Sequence, residues 1–120
     1  MQKLLVALLF TIFIAIPAFA QKRKKEPINP QTVHAVELYN CSAHKIKKLS
    51  KPQIGEFVAA WNLAKPKGSE NFVPAYTIRV FMADNVKRDF TSSEYRIQEH
   101  DGTTLRLEDP KLLDKLWENP

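Results

Sequence analysis

The chain has one cysteine, three glycines and three histidines in 120 residues, and each scarcity excludes something. With Cys41 as the single cysteine there is no internal disulfide, so an exported fold would depend on packing for its stability. Gly55, Gly68 and Gly102 stand far apart, which leaves no glycine-rich loop to cradle a phosphate. No serine elbow and no His-Glu metal helix is present. Cys41 and His44 form a lone Cys-x-x-His, but a structural zinc needs a second ligand pair, and His34 and His100 do not supply one. These absences predict no metal, no cofactor and no catalytic set. The alternative is a small thiol- or metal-dependent enzyme using Cys41 and a histidine, which would need a base and an orienting group brought in by the fold.

A large charge excess is also missing where it would matter. The whole chain carries 18 basic and 13 acidic residues, a net charge of +5. Removing Lys3, Lys22, Arg23, Lys24 and Lys25 leaves 13 basic residues, and removing Glu26 leaves 12 acidic ones, so Gln31 to Pro120 is only +1. Nucleic-acid binding calls for a basic patch on the fold, and this balance argues against it.

What is present begins with MQKLLVALLFTIFIAIPAFA, a basic start, an apolar run and an Ala18-Phe19-Ala20 cleavage site. That pattern predicts a secretory signal peptide over residues 1–20, an exported protein (periplasmic or secreted) and no stable membrane span after cleavage. Residues 21–30, QKRKKEPINP, read as a basic, flexible leader, either a solvated tail or a tether to an anionic polymer or lipid. Residues 31–120 then form one α+β domain.

The domain is organised around Pro74–Asp109. Tyr76, Ile78, Val80 and Met82 alternate with Thr77, Arg79, Phe81 and Ala83, the period of a half-buried strand. Two three-residue loops follow, Ala83-Asp84-Asn85 and His100-Asp101-Gly102, each predicted to put its last residue in the left-handed region. The hydrophobic pattern then pairs Val80 with Arg88, Ile78 with Phe90, Ile97 with Leu105 and Tyr95 with Leu107. This register sets Arg79 opposite Asp89. It also turns Arg88 and Glu99 toward the helix side, where they are expected at the sheet rim with their ends in water.

Upstream, Thr32–Tyr39 reads as a strand, central and covered on both sides, with the start of a helix as the alternative. Ser50 and Gln53 make a capping box, Leu49 and Ile54 a staple, and Ile54, Phe57, Val58 and Trp61 one helical stripe. A helix over Ser50–Ala64 follows, with Gly55 allowing close approach to the sheet. Lys65–Pro74 reads as a loop. Asp109-Pro110 reads as the N-cap and first residue of a short last helix bearing Leu112, Leu113, Leu116 and Trp117. The expected architecture is an antiparallel sheet of four or five strands with one main helix on one face.

The strings ELYN, FVAAWNLAKPKG, VPAYTIRVFMADN, RDF and LEDPKLLDKLW resemble a group of small exported bacterial proteins that share a Phe-x-x-x-Trp-Asn helix end, a strand meander and a terminal Leu-Trp. The resemblance implies the fold and no activity.

The register places Thr77, Arg79, Phe81, Lys87, Arg96, Gln98, Thr104 and Arg106 on the outer sheet face. Of these, Arg79, Phe81, Lys87, Arg96 and Arg106 are the predicted binding residues, since an arginine-rich face with one aromatic suits an envelope protein or an anionic polymer. The expected function is a non-catalytic binding or interaction module. A second alternative is a structural module that pairs through a sheet edge.

Overall fold

Ser50 starts the main helix by the reciprocal pair its sequence encodes. Its Oγ accepts from Gln53 N at 3.4 Å, and its own N–H donates to Gln53 Oε1 at 3.0 Å. Helix α1 runs Lys51–Leu63 and turns Phe57, Val58 and Trp61 inward. The structure is a computed structural model and describes residues 25–68 and 71–120. The expected signal peptide and residues 21–24 of the leader lie outside the described residues.

Seven strands form one antiparallel sheet: β1 Val33–Asn40, β2 Lys45–Lys48, β3 Lys65–Gly68, β4 Tyr76–Met82, β5 Lys87–Ser93, β6 Arg96–Glu99 and β7 Thr104–Arg106. Their order is β2-β1-β4-β5-β6-β7-β3. The fold is α+β, with more strands than the four or five expected. The two additions, KIKK and KPKG, are the edges. Edge strands are short and carry charge or proline because only one side pairs, so hydrophobic alternation does not announce them.

The meander has the predicted register. Ile78 faces Phe90, Val80 faces Arg88, Arg79 faces Asp89, and Ile97 faces Leu105. The turns differ in detail. Asp84 (φ 63°) joins Asn85 (φ 60°) in the left-handed region, and in the second turn Asp101 (φ 62°), not Gly102, takes that conformation. Gly102 is needed for space instead: a Cβ there would lie 3.0 Å from the Glu99 carbonyl oxygen.

The core lies between α1 and one sheet face. Phe90 packs edge-on against Phe57 and Trp61, with ring centroids 5.7 and 4.8 Å away. Helix α2, Leu112–Glu118, closes one end with Leu112, Leu113 and Leu116. It starts after the expected Asp109-Pro110 cap, because Asp109 Oδ1 accepts from Lys111 N and closes a turn first. Gln53 Nε2 and Lys47 Nζ both donate to the Leu116 carbonyl, at 3.1 and 2.6 Å, and so fasten the end of α2 to α1 and β2.

Gly55 does not mediate close packing, since a Cβ placed there meets nothing within 4 Å. The position carries only the helix penalty of glycine. Gly55→Ala is therefore expected to stabilise the protein by up to ~1 kcal/mol, read as a higher urea midpoint at unchanged slope.

The largest correction concerns the leader. Ile28 is 1% exposed and belongs to the core. Asn62 grips its peptide from both sides: Oδ1 accepts from Ile28 N at 2.8 Å, and Nδ2 donates to Ile28 O at 3.0 Å. Trp61 Nε1 donates to Glu26 O at 2.8 Å. Residues 25–30 are thus a strap across the fold, not a solvated tail. The strap also relocates Arg88 and Glu99. They are buried, at 8% and 5% exposure, rather than at the rim with their ends in water. Arg88 Nε and Nη2 each donate to a Glu99 carboxylate oxygen at 2.8 Å, while Nη2 and Nη1 reach the carbonyls of Glu26 (2.8 Å) and Pro27 (3.2 Å).

Candidate functional site

Residues opposite one another in an antiparallel sheet share a face, so the pairing alone defines the outer surface. On β4 and β5 it carries Thr77, Arg79, Phe81, Lys87 and Asp89. Arg79 is exposed but engaged: its Nε lies 2.8 Å from Asp89 Oδ1. That hydrogen bond, and then the Asp89 charge, raise the Arg79 pKa further above its usual range. Lys87 Nζ sits 5.7 Å from the Phe81 ring centroid. Helix α2 packs with the core on the other face and leaves Phe81 half-buried. Thr104, expected on this face, is only 1% exposed and does not contribute to it.

Arg96 and Arg106 belong to a second place. Asp89 and Ser93, which mark the two places on β5, are four residues apart in sequence, roughly 13 Å along a strand. The predicted binding residues therefore form two groups rather than one continuous patch. In the second group, Arg96 lies opposite Arg106 across β6 and β7, and Arg106 lies opposite Lys65 across β7 and β3. Three cations stand in register across three neighbouring strands, spaced by about 4.8 Å from strand to strand.

Like charges directly opposed destabilise a sheet. Tyr95 offsets part of that repulsion. Its ring centroid lies 3.9 Å from Lys67 Nζ, 5.2 Å from Arg96 Cζ and 5.6 Å from Arg106 Cζ. Cation–π attraction of this kind contributes roughly 0.5–1 kcal/mol at exposed sites. Lys67 Nζ also donates to the Tyr95 hydroxyl. Phe72 lies 5.7 Å from the Arg96 guanidinium, and Glu94 Oε2 approaches Arg96 Nη2 at 3.8 Å. Glu94, at φ 55°, supplies the tight turn that delivers Tyr95 to this place. Lys65, Lys67 and Arg106 remain exposed.

Lys65, Lys67, Phe72 and Tyr95 are absent from the predicted set. Lysines flanking Pro66 are an edge-strand signature that could have flagged β3. The Tyr95 backbone follows the predicted pairing with Leu107, since Tyr95 O accepts from Leu107 N at 2.7 Å.

Two depressions on the outer face lack a basic excess: the first is acidic, and the second balances Glu37 with Arg79. One of about 210 Å³ is bordered by Asp89, Gln98, His100 and Asp101. Another of about 220 Å³ is bordered by Glu37, Tyr39, Ile46 and Arg79. Carboxylates in both make them poor anion sites. A cavity of about 420 Å³ beside α2 holds Tyr76, whose hydroxyl donates to Asp114 Oδ1 at 2.6 Å. Burial, and then that hydrogen bond, push the Tyr76 phenol well above its ordinary pKa.

Cys41 and His44 have separate partners. Cys41 Sγ lies 4.0 Å from Thr77 Oγ1, and His44 Nδ1 lies 3.1 Å from the Tyr39 hydroxyl. His34 is exposed on β1. Among the described residues no group of three or more histidine, cysteine or acidic side chains could hold a metal ion, and no helix is long and apolar enough to cross a membrane. The chain matches no protein-family model, no curated protein and no solved structure.

Proposed function

We propose that the protein is an exported, non-catalytic module of the bacterial envelope that captures an anionic partner on the outer face of its sheet. The export pattern at the N-terminus and the resemblance to small exported bacterial proteins support the setting. One observation carries the binding role: the in-register row Arg96–Arg106–Lys65, gathered with Lys67 around Tyr95. The row concentrates positive charge on three neighbouring strands, where a bound anion gains several favourable contacts at once. Guanidinium and ammonium groups together suit phosphate or carboxylate oxygens. Arg79, Phe81 and Lys87 form a secondary region, weaker for anions because Asp89 already neutralises Arg79.

Retention on phosphocellulose at low salt tests this reading. The double substitution Lys65→Glu/Arg106→Glu is expected to lower the eluting salt concentration sharply. Arg79→Glu, which removes an already paired charge, is expected to shift it far less. Equal shifts for the two variants, with unfolding midpoints unchanged, would place the anion elsewhere. No observation favours the edge-pairing module, since lysines on both β2 and β3 discourage strand addition.

A further inference from the structure

The cation row lies beside the point where the strap enters the fold. Lys25 Nζ donates to the carbonyls of Asn62 (2.7 Å) and Ala64 (2.9 Å), at the negative end of α1. Ala64 is followed directly by Lys65, the outermost member of the row. Two of the four large hydrophobic side chains most exposed on the described surface are neighbours of the cluster in the chain. Leu63, 59% exposed, stands two residues before Lys65, and Val73, 86% exposed, follows Phe72. A residue two positions away lies within about 7 Å and an adjacent one at about 3.8 Å, Cα to Cα, so the backbone of Leu63 stands close to that of Lys65 and the backbone of Val73 close to that of Phe72.

Single exposed hydrophobics are ordinary. Their coincidence with exposed Lys65, Lys67 and Arg106 is not explained by solubility, and a soluble polyanion has no use for them. Basic side chains with aliphatic ones beside them are the pattern of a surface that rests in a bilayer interface. There the cations meet lipid phosphates, and the apolar groups reach the acyl boundary.

We propose that the β3 edge is a membrane-surface site: Lys65, Lys67 and Arg106 bind the phosphates of anionic phospholipid, while Leu63 and Val73 lie against the acyl boundary. The inference rests on the reading of the cluster as an anion site and names its partner. It requires no transmembrane segment. Each cation near an anionic surface contributes about fivefold to partition. Neutralising three is therefore expected to weaken binding on the order of 100-fold.

Cosedimentation of the protein with phosphatidylcholine vesicles, with and without phosphatidylglycerol, tests the proposal. Binding is expected only with phosphatidylglycerol. It should fall on the order of 100-fold in Lys65→Gln/Lys67→Gln/Arg106→Gln, and about tenfold in Leu63→Gln/Val73→Gln, which leaves every cation in place. Neutralising Lys22, Arg23 and Lys24 should leave the effect of the cluster substitutions intact. A parallel arm measures inorganic polyphosphate binding. If polyphosphate binds through the cluster while vesicles do not, or vesicle binding ignores Leu63 and Val73, the membrane site is overturned and the anion reading stands. If neither probe responds to the cluster substitutions, both fall.

Discussion

Arg88→Ala is expected to cost about 3–5 kcal/mol of folding stability, the range for removing one partner of a buried ion pair. The substitution leaves the Glu99 carboxylate buried without its two charge-assisted bonds and strips donors from the carbonyls of Glu26 and Pro27. Taking Arg88 and Glu99 away together, as Arg88→Met/Glu99→Leu, is expected to cost less than Arg88→Ala alone, because no buried charge is left unpaired. The contrast separates an ion pair that must be complete from one that only adds stability. Small domains have total stabilities of roughly 5–15 kcal/mol, so the single variant should be largely unfolded on modest heating. Urea titrations of the three proteins decide it. A single substitution milder than the double would show that water reaches the pair and that the strap does not seal it.

The same pair shows which parts of the fold were legible in the sequence. Strand parity placed Arg88 and Glu99 on the helix side, because apolar residues at every second position fix the face of each strand. Parity could not say how deeply they are buried. That depends on Lys25–Pro30, whose charge and prolines look like a solvated segment, while its one core residue, Ile28, is too little to make a periodic signal. The helix cap at Ser50 was legible because both members of the capping box lie within one turn. Strands β2 and β3 were not, since an edge strand hides its pairing behind lysines. This omission also hid half of the candidate site. Arg96 and Arg106 could be placed on one face, but Lys65 joins them only through β3, and Lys67 only through the Tyr95 ring. Spatial clusters built across an edge strand leave no trace in local spacing.

Ile28→Ala provides the second large effect, an expected loss of about 2–5 kcal/mol, where Ile28→Val should lose only about 0.5–1.5 kcal/mol. A solvated leader predicts no change for either, so the pair of substitutions measures whether the strap belongs to the core. The mechanism goes beyond a cavity. Ile28 is held at its backbone by Asn62 and stands one residue beyond the Pro27 carbonyl that Arg88 reaches. Losing its side chain should therefore loosen the cover over Arg88 and Glu99 as well. A double-mutant cycle of Ile28→Ala with Arg88→Ala reads this coupling. The two losses are expected to sum to more than the double variant shows, by about 1 kcal/mol or more, since a strap already released cannot be released again. Strict additivity would mean that Ile28 fills its pocket independently of the ion pair. In that case Asn62 and Trp61, rather than the buried side chain, would be what holds the strap in place.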